Sequence, residues 1–395
     1  MADPAQPVPG PIVLFGSGET SPTGRKILDS ILRHLPRSPK IALLETPAGF
    51  ELNSTQVIER IGDFLKIRLQ NYAPRTVIVP ARKRGTPFSP DDPQVIEPLY
   101  TADLIFMGPG SPTYAVRQLQ GSLAWNAILA RHRLGAAIAL ASAAVVAIST
   151  YALPVYEIYK AGEDLHWKPG LDLFGNYGLP LVFVPHWNNN DGGEELDTSR
   201  CFMGQARFIK LMEMLPPELT VVGIDEKTGL IIYPEDDTCK VVGVGGVTLL
   251  HTGDAHPGSS GEQELEGTGL SEIAHQRGGH VDRFKNGETF LLSHIWSRIG
   301  SHTGSQYGSF PQPEPGFGLP EDVWQKAVSS ANSPERADLH PADLQPPDVI
   351  LQKVKEREQA RSVRDWAEAD RLRNEIAGLG WQVMDTPEGP RLVPG

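Results

Sequence analysis

Three kinds of side chain in this sequence could together cut an acyl bond: a serine, a histidine and a carboxylate. Ser142 sits in "ALASAAVVAI", an apolar run that enters a corner of small residues, with Ala141 before it and Ala143 and Ala144 after it. His186 ends the apolar stretch "LPLVFVPHW", and Asp225 and Glu226 lie in "GIDEKTG". Acyl transfer needs a nucleophile, a base for its proton, a group that orients the base, and donors for the oxyanion. A serine on a sharp strand-to-helix turn is held out at a sheet edge, with helix amides facing the developing charge. Small neighbours suit such a turn because strand and helix nearly touch there. The same residues have plainer uses. Serine caps helices, a strand-end histidine can pair with a backbone carbonyl, and acids are common in turns. Residue type leaves both readings of Ser142 open and does not separate Asp225 from Glu226.

The elements that would position these groups follow from the apolar pattern. "PIVLFGS", "KIALLET", "RTVIVPA", "ADLIFMGPGS" and "AAIALAS" are short apolar runs, and helical spacing appears between them, as in Ile27, Ile31 and Leu35 or Ile58, Ile61 and Leu65. Continuous apolar strands alternating with helices predict a doubly wound α/β fold with a mostly parallel sheet covered on both faces. Right-handed crossovers then bring Gly18, the turn from Gly108 to Ser111, and Ser142 to one edge. "TVVGIDEKTGLIIYP" and "CKVVGVGGVTLLH" read as paired antiparallel strands, and "GETFLLSHIW" as a return to the sheet. Residues 301–347, rich in Pro, Gly and Ser, read as a linker. Residues 348–395 change composition. Asp365 and Glu368 form a cap pair, and Trp366, Ala369, Leu372, Ile376 and Leu379 share one helical face. "WQVMD" and "PRLVP" flank "TPEG" as a hairpin, which gives a helical hairpin with a β tail.

Composition narrows the partners. The 395 residues carry a net charge of −12, which opposes general affinity for nucleic acid or anionic membranes. Cys201 and Cys239 stand far apart, so no disulfide framework or thiolate metal site is expected. The start "MADPAQPVPGP" lacks the form of a secretory leader, and "LGAAIALASAAVVAI" is short for a membrane span. A soluble, cytoplasmic protein is expected. His251, Asp254 and His256 in "HTGDAH", with His275 and His280 further on, are of ligand type but sit in a Gly-rich setting without metal-site spacing. "FGSGE" is not a dinucleotide fingerprint, because its later glycine is misplaced. Neither a metal nor a cofactor is expected.

Four stretches in order, "FMGPGSPTYAVRQL", "ALASAAVVAIS", "GLPLVFVPHW" and "VVGIDEKTGLIIY", resemble the serine peptidases related to cyanophycinase and dipeptidase E. The resemblance implies a class I glutamine amidotransferase-like, flavodoxin-like fold over about residues 8–300. It implies a Ser142 nucleophile, a His186 base and Glu226 as the acid, with Gly108, Gly110, Ser111 and Ala143 around the oxyanion or substrate. A small peptide-like substrate, dipeptide or isopeptide, follows. Leu140 and Ala144 stand where that family has glycines, and Pro109 removes one amide from the oxyanion loop, leaving Gly110 and Ala143 as donors. The residues flanking His186, "PHWNNND", differ from the cyanophycinase pattern, so cyanophycin itself is not the expected substrate.

The tail, "REQARSVRDWAEADRLRNEIAGLGWQVMDTPEGPRLVP", resembles the C-terminal end of bacterial cysteinyl-tRNA synthetases. The catalytic stretches of a synthetase are missing, so the chain is not expected to charge tRNA. Arg361, Arg364, Arg371 and Arg373 either contact phosphates or form a solvated face balanced by acids. The rival to the hydrolase is an inactive scaffold of the same fold whose tail docks tRNA or a protein partner. Either form could assemble as a homo-oligomer.

Overall fold

Five strands in succession pair side by side and in parallel; the four inner ones are apolar and buried, and the third, at the sheet edge, exposes Arg75 and Val77. They are β1 (Ile12–Phe15), β2 (Lys40–Leu44), β3 (Arg75–Val79), β4 (Leu104–Met107) and β5 (Ala137–Ala141). The computed structural model describes residues 7–217, 219–252, 269–295, 316–331, 346, 348–379, 381–386 and 389–394. Helices α1 (Pro22–Leu32), α2 (Ser54–Arg68), α3 (Pro112–Leu119) and α4 (Leu123–Arg133) fill the crossovers, and α5 (Ala143–Ala147) follows β5 directly. Local chemistry sets their starts. Ser21, Ser111 and Ser122 each cap a helix by accepting from the amide three residues on, and proline opens α1 and α3.

The next elements are β6 (Tyr151–Ala152), α6 (Val155–Tyr159), β7 (Lys168–Pro169), β8 (Leu181–Val184), α7 (Gly204–Met214), β9 (Thr220–Ile224) and β10 (Thr228–Tyr233). After them come β11 (Thr238–Gly243), β12 (Gly246–His251), α8 (Gly269–Gln276), β13 (Val281–Lys285) and β14 (Thr289–Leu291). The main sheet has eight strands in the order β14-β11-β10-β1-β5-β4-β2-β3. The strands beyond β1 on the β10 side run antiparallel. The expected antiparallel pairs form, and β14 returns to the main sheet.

The two long β runs do not lie in one sheet. Each breaks in the middle, so that β10 and β11 stay in the main sheet while β8, β9, β12 and β13 form a second, four-stranded one, ordered β13-β12-β9-β8. Glycines permit the breaks: Gly243 has φ of +156°, and a Cβ on Gly245 would stand 2.5 Å from Asp225 Cβ. The sequence pattern could not reveal this, because all four halves are apolar and pair antiparallel in either arrangement.

The stretch read as a linker also contains a helix, α9 (Glu321–Ala331). Val323 and Ala327 are buried in the main core, Lys326 pairs with Glu97, and Arg133 donates to the Phe317 carbonyl. Two apolar residues four apart were too weak a period to stand out against the Pro- and Ser-rich flanks. Helices α10 (Asp348–Ser362) and α11 (Trp366–Gly378) and strands β15 (Trp381–Thr386) and β16 (Gly389–Pro394) build the tail. It has a core of its own, with Ile350, Ile376, Leu379 and Trp381. The cap holds as expected, Glu368 N–H donating to Asp365 at 3.1 Å. Trp366 does not join the apolar face; it is 59% exposed at the first turn. No described helix is long and apolar enough to cross a membrane.

Candidate active site

Register gathers the loops at one edge of the main sheet. Phe15 pairs with Ala141, and Met107 with Leu140, so Gly16, Gly108 and Ser142 leave the sheet almost level. Ser142 then takes φ 51° and ψ −108° between strand and helix. A non-glycine residue held there is strained, at a cost of about 1–3 kcal/mol, and such strain gathers at functional sites. Its side chain makes no capping bond to α5. The hydroxyl is instead 2.9 Å from His186 Nε2.

His186 arrives from the other sheet, two residues after β8, also with φ of +51°. Three backbone bonds fix it: its N–H donates to Gly16 O at 3.1 Å, and its carbonyl accepts from Asn189 and Cys201. The Cys201 bond comes from a left-handed turn in which Arg200, Cys201 and Phe202 have φ of 56°, 57° and 68°. His186 Nδ1 lies 3.0 Å from Glu226 Oε1. Glu226 follows β9 in the crossing to β10. Its carboxylate accepts from Asn189 Nδ2 at 3.0 Å, and its amide donates to Asn188 Oδ1 at 2.8 Å. The hydrogen bond with His186, opposed by partial burial and aided by Asn189, holds the Glu226 carboxyl below the usual glutamate range.

The neighbouring acid has a different task. Asp225 is 1% exposed and accepts from Gly246 N–H at 2.8 Å and from Arg283, pinning the β11–β12 crossing. Geometry thus separates two residues that composition could not. Leu140 and Ala144 are wholly buried in the main core, while Ser142 is half-buried. Burial, with the nearby Glu226 charge adding, pushes the Cys201 thiol up to about 12, so it is no thiolate at neutral pH.

The Gly-rich turn is built against Pro47. A Cβ on Gly110, whose φ is +147°, would stand 1.9 Å from Pro47 O. Ser111 is committed to the scaffold: its N–H donates to Pro47 O at 2.9 Å and its hydroxyl caps α3. Gly108 is buried against Ile61, its Cβ position 3.0 Å from the Ile61 side chain. Neither the Gly110 N–H nor the Ala143 N–H meets an acceptor among the described residues. Sequence reasoning passed over Gly16, Asn188 and Asn189. The signal was present in the Asn run after His186, but its use depends on a crossing between sheets that is remote in sequence.

No protein-family model matches the chain. Its fold is similar to that of a peptidase from an acI-B1 Actinobacterium, at 21% identity over 72% of this chain and 98% of that one, with a TM-score of 0.53. The C-terminal segment is similar to cysteine–tRNA ligases. It is 47% identical over 51 residues to that of Chlamydia caviae, 13% of this chain and 11% of the ligase. It is 50% identical over 46 residues to that of Rubrobacter xylanophilus, 12% and 10% of the two chains. The chain thus spans about a tenth of the length of the curated relatives it matches.

Proposed function

We propose that the α/β domain hydrolyses an amide or peptide bond in a small peptide-like substrate, with Ser142 as nucleophile, His186 as base and Glu226 as the group that orients the imidazole. The observation that carries this is the strained Ser142 corner with its hydroxyl 2.9 Å from His186 Nε2, the other ring nitrogen being 3.0 Å from Glu226. Ser142 Oγ bonds to the substrate carbonyl carbon as His186 Nε2 takes its proton. The oxyanion that forms is met by the Gly110 and Ala143 amides. The tetrahedral intermediate collapses, the C–N bond breaks, and His186 hands its proton to the leaving amine. Water then attacks the acyl-serine, giving its proton to His186, which returns it to Ser142 as the acid product leaves. Glu226 stays ionised throughout and stabilises the imidazolium. A fluorophosphonate probe tests this. We expect one label per chain, lost in Ser142→Ala, and cleavage of a dipeptide panel lowered by about 10⁴–10⁶-fold in that variant. Absence of labelling in the folded wild type, or labelling unchanged by Ser142→Ala, leaves a scaffold of peptidase-like fold without the chemistry.

The tail supports a second, separate reading as a docking module, on the strength of its likeness to tRNA ligase segments. Arg361 and Arg371 are paired with Asp385, Glu368 and Glu375, whereas Arg364 and Arg373 are exposed and make no ion pair among the described residues. Binding of total tRNA across a salt series is the test. Phosphate contact by two arginines gives a log–log slope of about −2, and indifference at low salt leaves a structural or protein-contact role.

A further inference from the structure

Two histidines that looked idle in the sequence meet an aspartate on the second sheet. His251, the last residue of β12, stands directly across from His280: its N–H donates to the His280 carbonyl at 3.0 Å. Asp282, two residues after His280 on the same face, pairs with Leu249 in the β12–β13 ladder. Gly279 makes the approach possible, since a Cβ there would fall 1.7 Å from the His251 carbonyl oxygen. The three side chains are 7%, 12% and 6% exposed.

We propose that His251, His280 and Asp282 bind one divalent cation of the zinc class, which staples β12 to β13. One potential ligand atom from each residue lies within 4.8 Å of the others. Ligands at zinc stand about 2.0–2.2 Å from the metal, so two of them on tetrahedral corners are about 3.4 Å apart. Asp282 Oδ2 is 3.2 Å from His280 Nε2 and 3.8 Å from His251 Nε2. The second separation is too long for a hydrogen bond and suits two ligands of one ion. His251 Nε2, the ring nitrogen that faces Asp282, has no hydrogen-bond partner among the described residues. His251 Nδ1 lies 3.1 Å from Thr220 Oγ1 across the ladder. Donation from Nδ1–H to that hydroxyl leaves the Nε2 lone pair aimed at the cluster, the outer-shell support typical of a metal-bound imidazole. A soft thiolate is not part of the set, and two imidazoles with one carboxylate favour zinc over magnesium or calcium.

The cation is structural. Thr220 opens β9 and Glu226 follows its far end, so the cluster and the serine site lie at opposite ends of one strand, about 13 Å apart from Thr220 to Ile224 alone.

The test strips the full-length protein with a chelator and titrates it with zinc against a chromogenic competitor. One zinc per chain is expected, bound at least about 100-fold more weakly in Asp282→Asn. In Thr220→Val, which keeps the strand's shape but removes the outer-shell hydroxyl, a 10–100-fold loss is expected. Fluorophosphonate labelling of Ser142 should be unaffected by metal removal, so this proposal and the hydrolase stand or fall apart. Failure to retain zinc, or retention indifferent to Asp282→Asn and His251→Gln, overturns it. Should those variants not fold, X-ray absorption of the zinc-loaded wild type decides. Two imidazoles and a carboxylate oxygen support the site; sulfur or a single imidazole refutes it.

Discussion

Asp225 and Glu226 are neighbours of the same charge, yet their carboxylates are held by different partners. Glu226 accepts from Asn189 and meets His186, whereas Asp225 accepts from Gly246 and Arg283. Their amide variants should therefore diverge. Glu226→Gln is expected to lower turnover by about 10⁴-fold with little loss of stability, because the imidazole loses its orienting charge. Asp225→Asn should instead cost about 3 kcal/mol in urea unfolding, since Arg283 loses a buried counter-charge. Glu226 also sets a pH limb. Its folded carboxyl titrates below the ordinary glutamate value, so the unfolded chain takes up the proton first as pH falls. The stability it confers is whole above the ordinary glutamate value and drains away as pH drops through the depressed one. Thermal midpoints between pH 3 and 6 should fall less steeply in Glu226→Gln than in wild type. The places of Ser142 and His186 at strand-end corners were legible in the apolar runs that lead into them. Asn188 and Asn189 were not, because their partner lies some forty residues on.

The elements that hold these residues depend on close backbone approach. Gly16 leaves β1 against the β9–β10 crossing, where a Cβ would stand 1.9 Å from Asp225 O. Its carbonyl also accepts the His186 amide. Gly16→Ala should cost about 3 kcal/mol, an overpacking penalty against unyielding backbone. Labelling of Ser142 should fall with it, because the anchor of His186 shifts; unchanged stability in a urea titration would refute this account of the crossing. The parallel half of the main sheet was legible in the sequence, since runs such as "KIALL" and "LIFM" leave no polar face to water. The division of the later strands between two sheets was not. It is decided by where Gly243 and Gly245 let the chain turn, and by Asp225 gripping the far side. Helix α9 was missed for a related reason, as its buried face rests on a fold that the local pattern does not describe.

At the scale of the molecule, the tail keeps its own core around Ile376 and Trp381, and it meets α1 through a bond from Arg25 to the Ala377 carbonyl at 3.3 Å. Arg357, 4% exposed, ties α10 to β15 by two bonds of 2.9 Å to Asp385. Calorimetry should resolve two transitions. Arg357→Leu should lower only the smaller one, by about 1–2 kcal/mol, because Asp385 remains half in water. A single transition, or a shift of the larger, would show the tail and the α/β domain melting as one. The two likenesses of the chain fit this division, one spanning most of its length and the other about fifty residues at its end. The serine hangs from one sheet, while the imidazole and its carboxylate hang from the other or from the crossing between them. On the proposed reading, hydrolysis is then a strain gauge for slippage between the layers, since a misfit of about 1 Å can cost a hundredfold in rate. In dilute urea, turnover should fade while the far-ultraviolet ellipticity still reads native.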